Sequence, residues 1–268
     1  MTPILYGLCY HDVVAPGEYS SSGFGGADAN WYKLERELFD AHLRVVVKGS
    51  SPSPIAATPS QVGEQGILLT FDDAGSSALY VADTLERAHL RGWFFVPTVL
   101  LGTRAFLDRP SVRELHARGH HIGSHSHSHP MPMTALSDAQ IRDEWYVSQS
   151  ILQELLGERV AVASAPGGFT SAALFRACER LGFTDLFTSE PAFTPTFAGS
   201  LRLIGRVSVT QGTSARYLSS LIENRFLSRS RSRAWWRTKQ AIKSVGVAQW
   251  LELRRRLFAA AEGIQRPK

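Results

Sequence analysis

Seven strand-length apolar runs, each followed by a segment of helical periodicity, constrain this chain more than any other feature. Residues 4–10, 67–71, 93–97, 120–124, 160–165, 184–188 and 203–209 are apolar almost throughout instead of alternating. A strand that is apolar on both sides must be covered on both sides, which points to parallel strands joined by helical crossovers. Between them, residues 76–90, 137–156 and 171–181 carry helical spacing. Ser137 stands where an N-cap belongs, and Gly157 and Gly182 stand where helices stop. The expected class is therefore α/β. Periodicity leaves an open sheet and a barrel both in play, and no dinucleotide glycine fingerprint follows the first strand to favour the open form.

With 268 residues, 44% of them apolar, the chain can bury one large core, and a single β/α domain is expected over residues 1–224. Only two cysteines occur, Cys9 and Cys178, so neither a disulfide framework nor a thiolate metal cluster is available. Any metal must be held by histidines and carboxylates. The opening MTPILYGLCYHDV has no basic n-region, and no run of about 18 apolar residues occurs anywhere, so a cytoplasmic location is expected. A Ser/Pro/Gly-rich stretch at 48–63 and a small-residue stretch at 20–27 are either borders of an active site or plain surface loops.

Three segments carry candidate chemistry. Asp72 and Asp73 end an apolar strand, where two adjacent carboxylates are costly to keep unless a positive group stands beside them. Residues 120–129 hold five of the nine histidines. Were this segment extended, His125 and His129 would lie about 13 Å apart, too far to share an ion. A helical turn would bring residues four apart to about 6 Å, which predicts that the chain turns after Ser124 and that His125 and His129 converge while His127 points elsewhere. The alternative is a solvated histidine-rich loop. The third segment, Ala165-Pro166-Gly167-Gly168, follows another apolar run; its glycines let backbone approach a ligand, although such a turn is often only structural. All three fall at the carboxyl end of an expected parallel strand, where barrel enzymes place their active sites.

Thr70-Phe71-Asp72-Asp73 is similar to the first motif of the polysaccharide deacetylase family, the NodB-homology group forming carbohydrate esterase family 4. His125-Ser126-His127-Ser128-His129, with Pro130 after it, resembles that family's His-Ser/Thr-x-x-His motif. The resemblance covers about residues 65–215. It implies a distorted β/α barrel of about seven parallel strands, related to the TIM barrel, in which Asp73, His125 and His129 bind a divalent metal and Asp72 is the general base. Zinc is the ion expected, with cobalt, nickel, manganese and iron as alternatives. The implied reaction is hydrolysis of the N-acetyl group of an N-acetylhexosamine glycan or its precursor. Pro166, Gly167 and Gly168 would border the substrate or its oxyanion. Tyr10-His11-Asp12-Val13 resembles a strand of members acting on poly-N-acetylglucosamine-type polymers, which places His11 or Asp12 at the substrate site.

The chain also departs from the pattern. Ala74 stands where the family usually has glycine, and Ser164-Ala165-Pro166-Gly167 lacks the arginine and the aromatic of the third motif. No histidine follows His129, so the proton donor of the late Leu-x-His motif is missing. Arg206 is expected to bind substrate, its high pKa making it a poor acid, while Asp185 and Glu190 stand near late strand ends. Two other readings follow: a deformylase or cyclic-amide hydrolase on the same fold, or a catalytically silent glycan-binding protein.

Residues 225–268 carry 12 Lys/Arg and 2 Asp/Glu, a net +10 that leaves −5 on the first 224. The basic residues interleave with Trp235, Trp236 and Trp250, and 247–261 has helical spacing. This extension is expected either to touch an anionic membrane surface at the inner face or to pack on the barrel as a terminal helix. Nucleic acid is not an expected partner, since the body is acidic and has no recognition motif.

Overall fold

A computed structural model of the chain describes residues 4–49, 66–223 and 226–245. The strands are β1 (Leu5–Tyr10), β2 (Val13–Val14), β3 (Leu34–Glu35), β4 (Gly66–Phe71), β5 (Trp93–Val96) and β6 (His121–Ser124). They continue with β7 (Val162–Ser164), β8 (Asp185–Phe187), β9 (Thr196–Ala198), β10 (Leu201–Ile204) and β11 (Arg206–Ser208). The helices are α1 (Ala27–Asn30), α2 (Arg36–Gly49), α3 (Ala78–Arg87), α4 (Arg109–Ala117), α5 (Asp138–Leu156), α6 (Ala172–Arg180), α7 (Ala215–Ile222) and α8 (Phe226–Val245).

One sheet of nine strands runs in the order β11-β1-β4-β5-β6-β7-β8-β10-β9. Every pairing in it is parallel except β9 with β10, and β2 and β3 form a small parallel pair of their own. Alternating strands and crossover helices thus give the mixed α/β fold with the parallel sheet that the apolar runs require. The helix signals read as expected. Ser137 caps α5 in a reciprocal capping box with Gln140, Gly157 ends that helix at φ 71°, and Ser171 caps α6.

The run 203–209 is two strands, not one. Ile204 pairs with Phe187 of β8, whereas Arg206 pairs with Gly7 of β1, so the chain crosses from one flank of the sheet to the other within a single residue. Gly205 makes the step. A Cβ there would stand 2.5–2.6 Å from backbone atoms of Ala192 and Glu190. Residues 188–193 fill the seam between the two flanks: Thr188 N–H donates to Ile204 O, Arg206 N–H to Glu190 O and Leu5 N–H to Phe193 O. The result is a barrel with an open seam. Its interior is packed by Leu5, Leu68, Trp93, Phe95, Val162, Phe187 and Ile204, each side chain worth about 1.5–3 kcal/mol when fully buried.

Cys9, in β1, and Cys178, in α6, are both buried and free. The Ser/Pro-rich stretch 48–63, apart from its first two residues, lies outside the described residues, as does the helical pattern at 247–261.

Candidate active site

Parallel strands bring their carboxyl ends to one rim, and the candidate residues gather there: His11 after β1, Asp72 and Asp73 after β4, His125 after β6 and the glycine turn after β7. The backbone is left-handed at Asp73 (φ 73°) and Ala74 (φ 49°), and the two adjacent carboxylates enter different clusters.

In the first cluster, Asp73 Oδ1 lies 3.4 Å from His125 Nε2 and 3.3 Å from His129 Nε2. The imidazoles converge with ring centroids 4.9 Å apart, but not through the expected helical turn. Ser126 and His129 take left-handed conformations (φ 63° and 56°) instead. The loop is held from α5, where the Glu144 carboxylate accepts from His127 N–H at 3.0 Å, Ser128 N–H at 2.8 Å and the Ser128 hydroxyl. Three donors on one carboxylate substitute for helix hydrogen bonds only in part, since Ser126 Oγ closes the turn by accepting from His129 N–H. His127 does point elsewhere, its Nδ1 lying 2.9 Å from Thr98 Oγ1.

His125 Nδ1 lies 2.8 Å from Ser164 O, a contact that fixes the proton on Nδ1 and leaves Nε2 turned toward Asp73. Asp73 Oδ1 is buried and makes no hydrogen bond. Burial would raise the Asp73 carboxyl, yet the two imidazoles hold it well below the usual range. Burial would lower His125, and Asp72 and Asp73 raise it instead. The cluster therefore favours positive charge at its centre. One carboxylate oxygen and two imidazole nitrogens within 4.8 Å of one another fit a divalent cation of the zinc type, with coordination positions left over.

The second cluster is built on Asp72 and Arg206. The guanidinium donates to both carboxylate oxygens, at 2.7 and 2.8 Å, and also to Ser164 Oγ, Thr70 Oγ1 and Thr188 O. Burial pushes the Asp72 carboxyl up, but the charges of Arg206 and His125 outweigh it and hold the group at about 2. Arg206 was expected to bind substrate. The structure places it behind Asp72, fully buried and outside the pocket wall, where it orients the carboxylate. Gly7 makes room for it, because a Cβ there would stand 2.7 Å from Arg206 Cγ. The arginine absent from the third motif is thus replaced from β11, across the seam.

Both clusters face a cleft of about 330 Å³, at the small end of ligand pockets. His11, Gly167 and Gly168 line it; Pro166 is buried and does not. The His11 ring is tilted against Tyr32 with centroids 5.0 Å apart, and its Nδ1 is buried without a hydrogen bond. The Gly168 N–H, an expected oxyanion donor, is already given to Ala165 O, so Gly168 forms wall and not a donor. Asp12, also at the cleft, accepts from the Ser22 and Ser77 hydroxyls and ties the small-residue stretch 20–27 to the rim. Phe24 of that stretch lies 4.9 Å from the His129 ring. Asp185 begins β8 at the opposite end of the barrel, paired with Arg202, and Glu190 lies in the seam; neither reaches the cleft.

Sequence reasoning missed Phe24, Tyr32, Lys33 and Met131 in the wall, which come from irregular segments without a periodic signal. It also left Trp236 in an extension expected either to touch a membrane or to pack on the barrel, without assigning it to the cleft. In α8, Trp235 is 62% exposed while Trp236 lines the cleft. No helix among the described residues is long and apolar enough to cross a membrane.

Residues 60–186 match the family model described as polysaccharide deacetylase. YxkH of Bacillus subtilis is 22% identical over 225 residues, covering 81% of this chain and 75% of that protein. The peptidoglycan-N-acetylglucosamine deacetylase PgdA of Listeria monocytogenes is 30% identical over 105 residues, 38% of this chain but only 22% of PgdA. Among solved structures, the Streptococcus pyogenes deacetylase PplD in complex with acetate superposes with a TM-score of 0.66 at 18% identity, covering 81% of this chain and 96% of PplD. IcaB from Ammonifex degensii gives 0.66 at 19%, covering 82% and 97%. At these identities the two structures bear on the fold alone.

Proposed function

Because residues 60–186 belong to the polysaccharide deacetylase family, we propose that this chain is a metal-dependent hydrolase that removes the N-acetyl group from an N-acetylhexosamine glycan or its precursor. The observation that carries the reading is the division of labour between two adjacent carboxylates. Asp73 turns to the imidazole pair, and Asp72 is locked in place by Arg206. A protein that only bound glycans would have no need to keep a second, ionised and oriented carboxylate beside a metal-type donor set.

Asp73, His125 and His129 would hold the ion, zinc being the first candidate for this donor set. When bound, such an ion polarises the acyl carbonyl and acidifies the attacking water. Asp72 takes the proton of that water. Its bidentate contact with Arg206 and the Ser164 hydroxyl hold it ionised and fixed, so little reorganisation is needed when the proton arrives. Phe24, Tyr32 and His11 line one side of the cleft and exclude water from it. PgdA, by name a deacetylase of N-acetylglucosamine in peptidoglycan, supports this substrate class.

The test is acetate release from fully N-acetylated chitooligosaccharides and from smaller N-acetylhexosamine precursors. Stripped protein should be inactive, and zinc should restore activity at one ion per chain. Asp72→Asn should lower kcat by about 10²–10⁴ with the zinc content unchanged. Asp73→Asn should lose the zinc itself. Release by stripped protein, or by Asp72→Asn at the native rate, would overturn the proposal.

A further inference from the structure

The cleft has a wall contributed from outside the family-matched region. α8 begins forty residues beyond that region, at Phe226. Its docking is specific. The Arg229 guanidinium lies 4.5 Å from the Phe193 ring centroid and 5.7 Å from that of Tyr6, and Arg233 lies 5.5 Å from Phe193. Arg229 donates to Leu221 O and Arg233 to Pro191 O, while Ser228 and Ser220 share a hydroxyl contact at 2.6 Å.

Residues 229, 233 and 236 are spaced i, i+4 and i+7, so one stripe of the helix carries both docking arginines and Trp236. The arginines fasten that stripe along the seam segment that holds Pro191 and Phe193. About two turns further on, the same stripe brings Trp236 to the cleft where Asp72, Asp73, His125 and His129 also open. Trp235, one position away, is 62% exposed and does not line the cleft.

The other ring systems of the cleft are committed: Phe24 packs on Phe106 and His129, and Tyr32 packs on His11. Trp236 is the lining aromatic that has no ring partner among the described residues. An indole gives the largest flat, apolar face of any side chain together with one N–H donor. The carbon face of a pyranose is a fit for it, with the hydroxyls left at the ring edge for polar groups.

We propose that Trp236 is the sugar-stacking wall of this site, a specificity determinant that takes the place of the aromatic missing from the third motif; this rests on the deacetylase reading above. α8 is then part of the binding site, not an appendage. Its contact is with the ring of the bound sugar and not with the reacting amide, so it acts on ground-state and transition-state binding alike.

The experiment compares the full-length, zinc-loaded protein with Trp236→Ala, Trp236→Phe and Trp235→Ala, using fully N-acetylated chitotriose as the probe. Acetate release gives KM and kcat, and intrinsic tryptophan fluorescence reports binding. Trp236→Ala should raise KM about tenfold, or about 1.4 kcal/mol, with kcat within twofold. Trp236→Phe should recover most of the loss, and Trp235→Ala should behave as the native protein. The sugar-induced fluorescence change should vanish in both Trp236 variants. An unchanged KM in Trp236→Ala, or an equal loss in Trp235→Ala, would overturn the proposal, the second by showing that only helix docking matters. If no variant releases acetate but chitotriose still gives a fluorescence signal that depends on Trp236, the deacetylase reading falls and the wall stands. No signal in the native protein overturns the wall.

Discussion

The two ends of the barrel treat charge in opposite ways. At the amino ends of the strands, Arg118 meets Asp83, Glu86 and Glu114, and Glu86 also meets His120, in a half-exposed network where every charge has a partner of opposite sign. The Arg118 guanidinium, helped by His120, holds the Glu86 carboxyl at about 2. At the carboxyl ends, two buried carboxylates and two imidazoles crowd around a centre that favours a cation, with Arg206 committed to only one of the carboxylates. Five of the six described non-glycine residues with left-handed backbone, Asp73, Ala74, Ala105, Ser126 and His129, lie at this end. One end pairs its charges and tolerates loss, whereas the other keeps strain and desolvated charge together, the combination in which functional sites are commonly built.

That contrast can be broken most forcefully with one arginine from each end. Arg206→Met should cost about 3–5 kcal/mol in urea unfolding, since it strands a buried carboxylate, while Arg118→Ala should cost no more than about 1 kcal/mol. Pairing Arg206→Met with Asp72→Asn should recover most of the stability. Equal losses for the two arginines would remove the distinction between the ends.

A smaller effect sharpens the picture from the amino end. His121 stacks on Trp93 with centroids 4.1 Å apart, its Nε2 has no hydrogen bond, and burial pushes its pKa down to about 4. The unfolded chain takes up this proton first, so the contribution is complete above about pH 6.5 and declines as pH falls toward 4. Over that window it amounts to about 2–3 kcal/mol. His121→Phe should flatten the dependence, read from urea midpoints at pH 4.5 and pH 7; a slope unchanged from the native protein would place the proton elsewhere. The smallest effect belongs to the strained rim. Ala74→Gly, at φ 49°, should raise stability by about 0.5–1 kcal/mol, and a loss would mean that the backbone there is unstrained.

Local signals made much of this legible. Asp72, Asp73, His125 and His129 each follow an apolar run, and strand ends in parallel sheets converge, so their meeting required no knowledge of distant contacts. Ser137 and Gly157 marked helix ends because capping is a matter of a few neighbouring atoms. What escaped depends on distance in sequence. The run 203–209 reads as one strand because nothing local reveals that Ala192 and Glu190 crowd Gly205. Arg206 looks like a free strand-end cation until Gly7, two hundred residues earlier, is seen to leave room for it beside Asp72. The loop from His125 to His129 was expected to be helical because spacing specifies which residues meet and not the path between them; Glu144 determines the path.

The single-residue seam at Gly205 has one more consequence. Arg206 is the first residue past it, and its backbone is held to Glu190 and β1 only when the last flank of the sheet has joined the first. With that junction open, Asp73, His125 and His129, which follow β4 and β6 alone, would still meet, whereas Asp72 would be left without its guanidinium. The one glycine step therefore decides whether the second carboxylate is held at all.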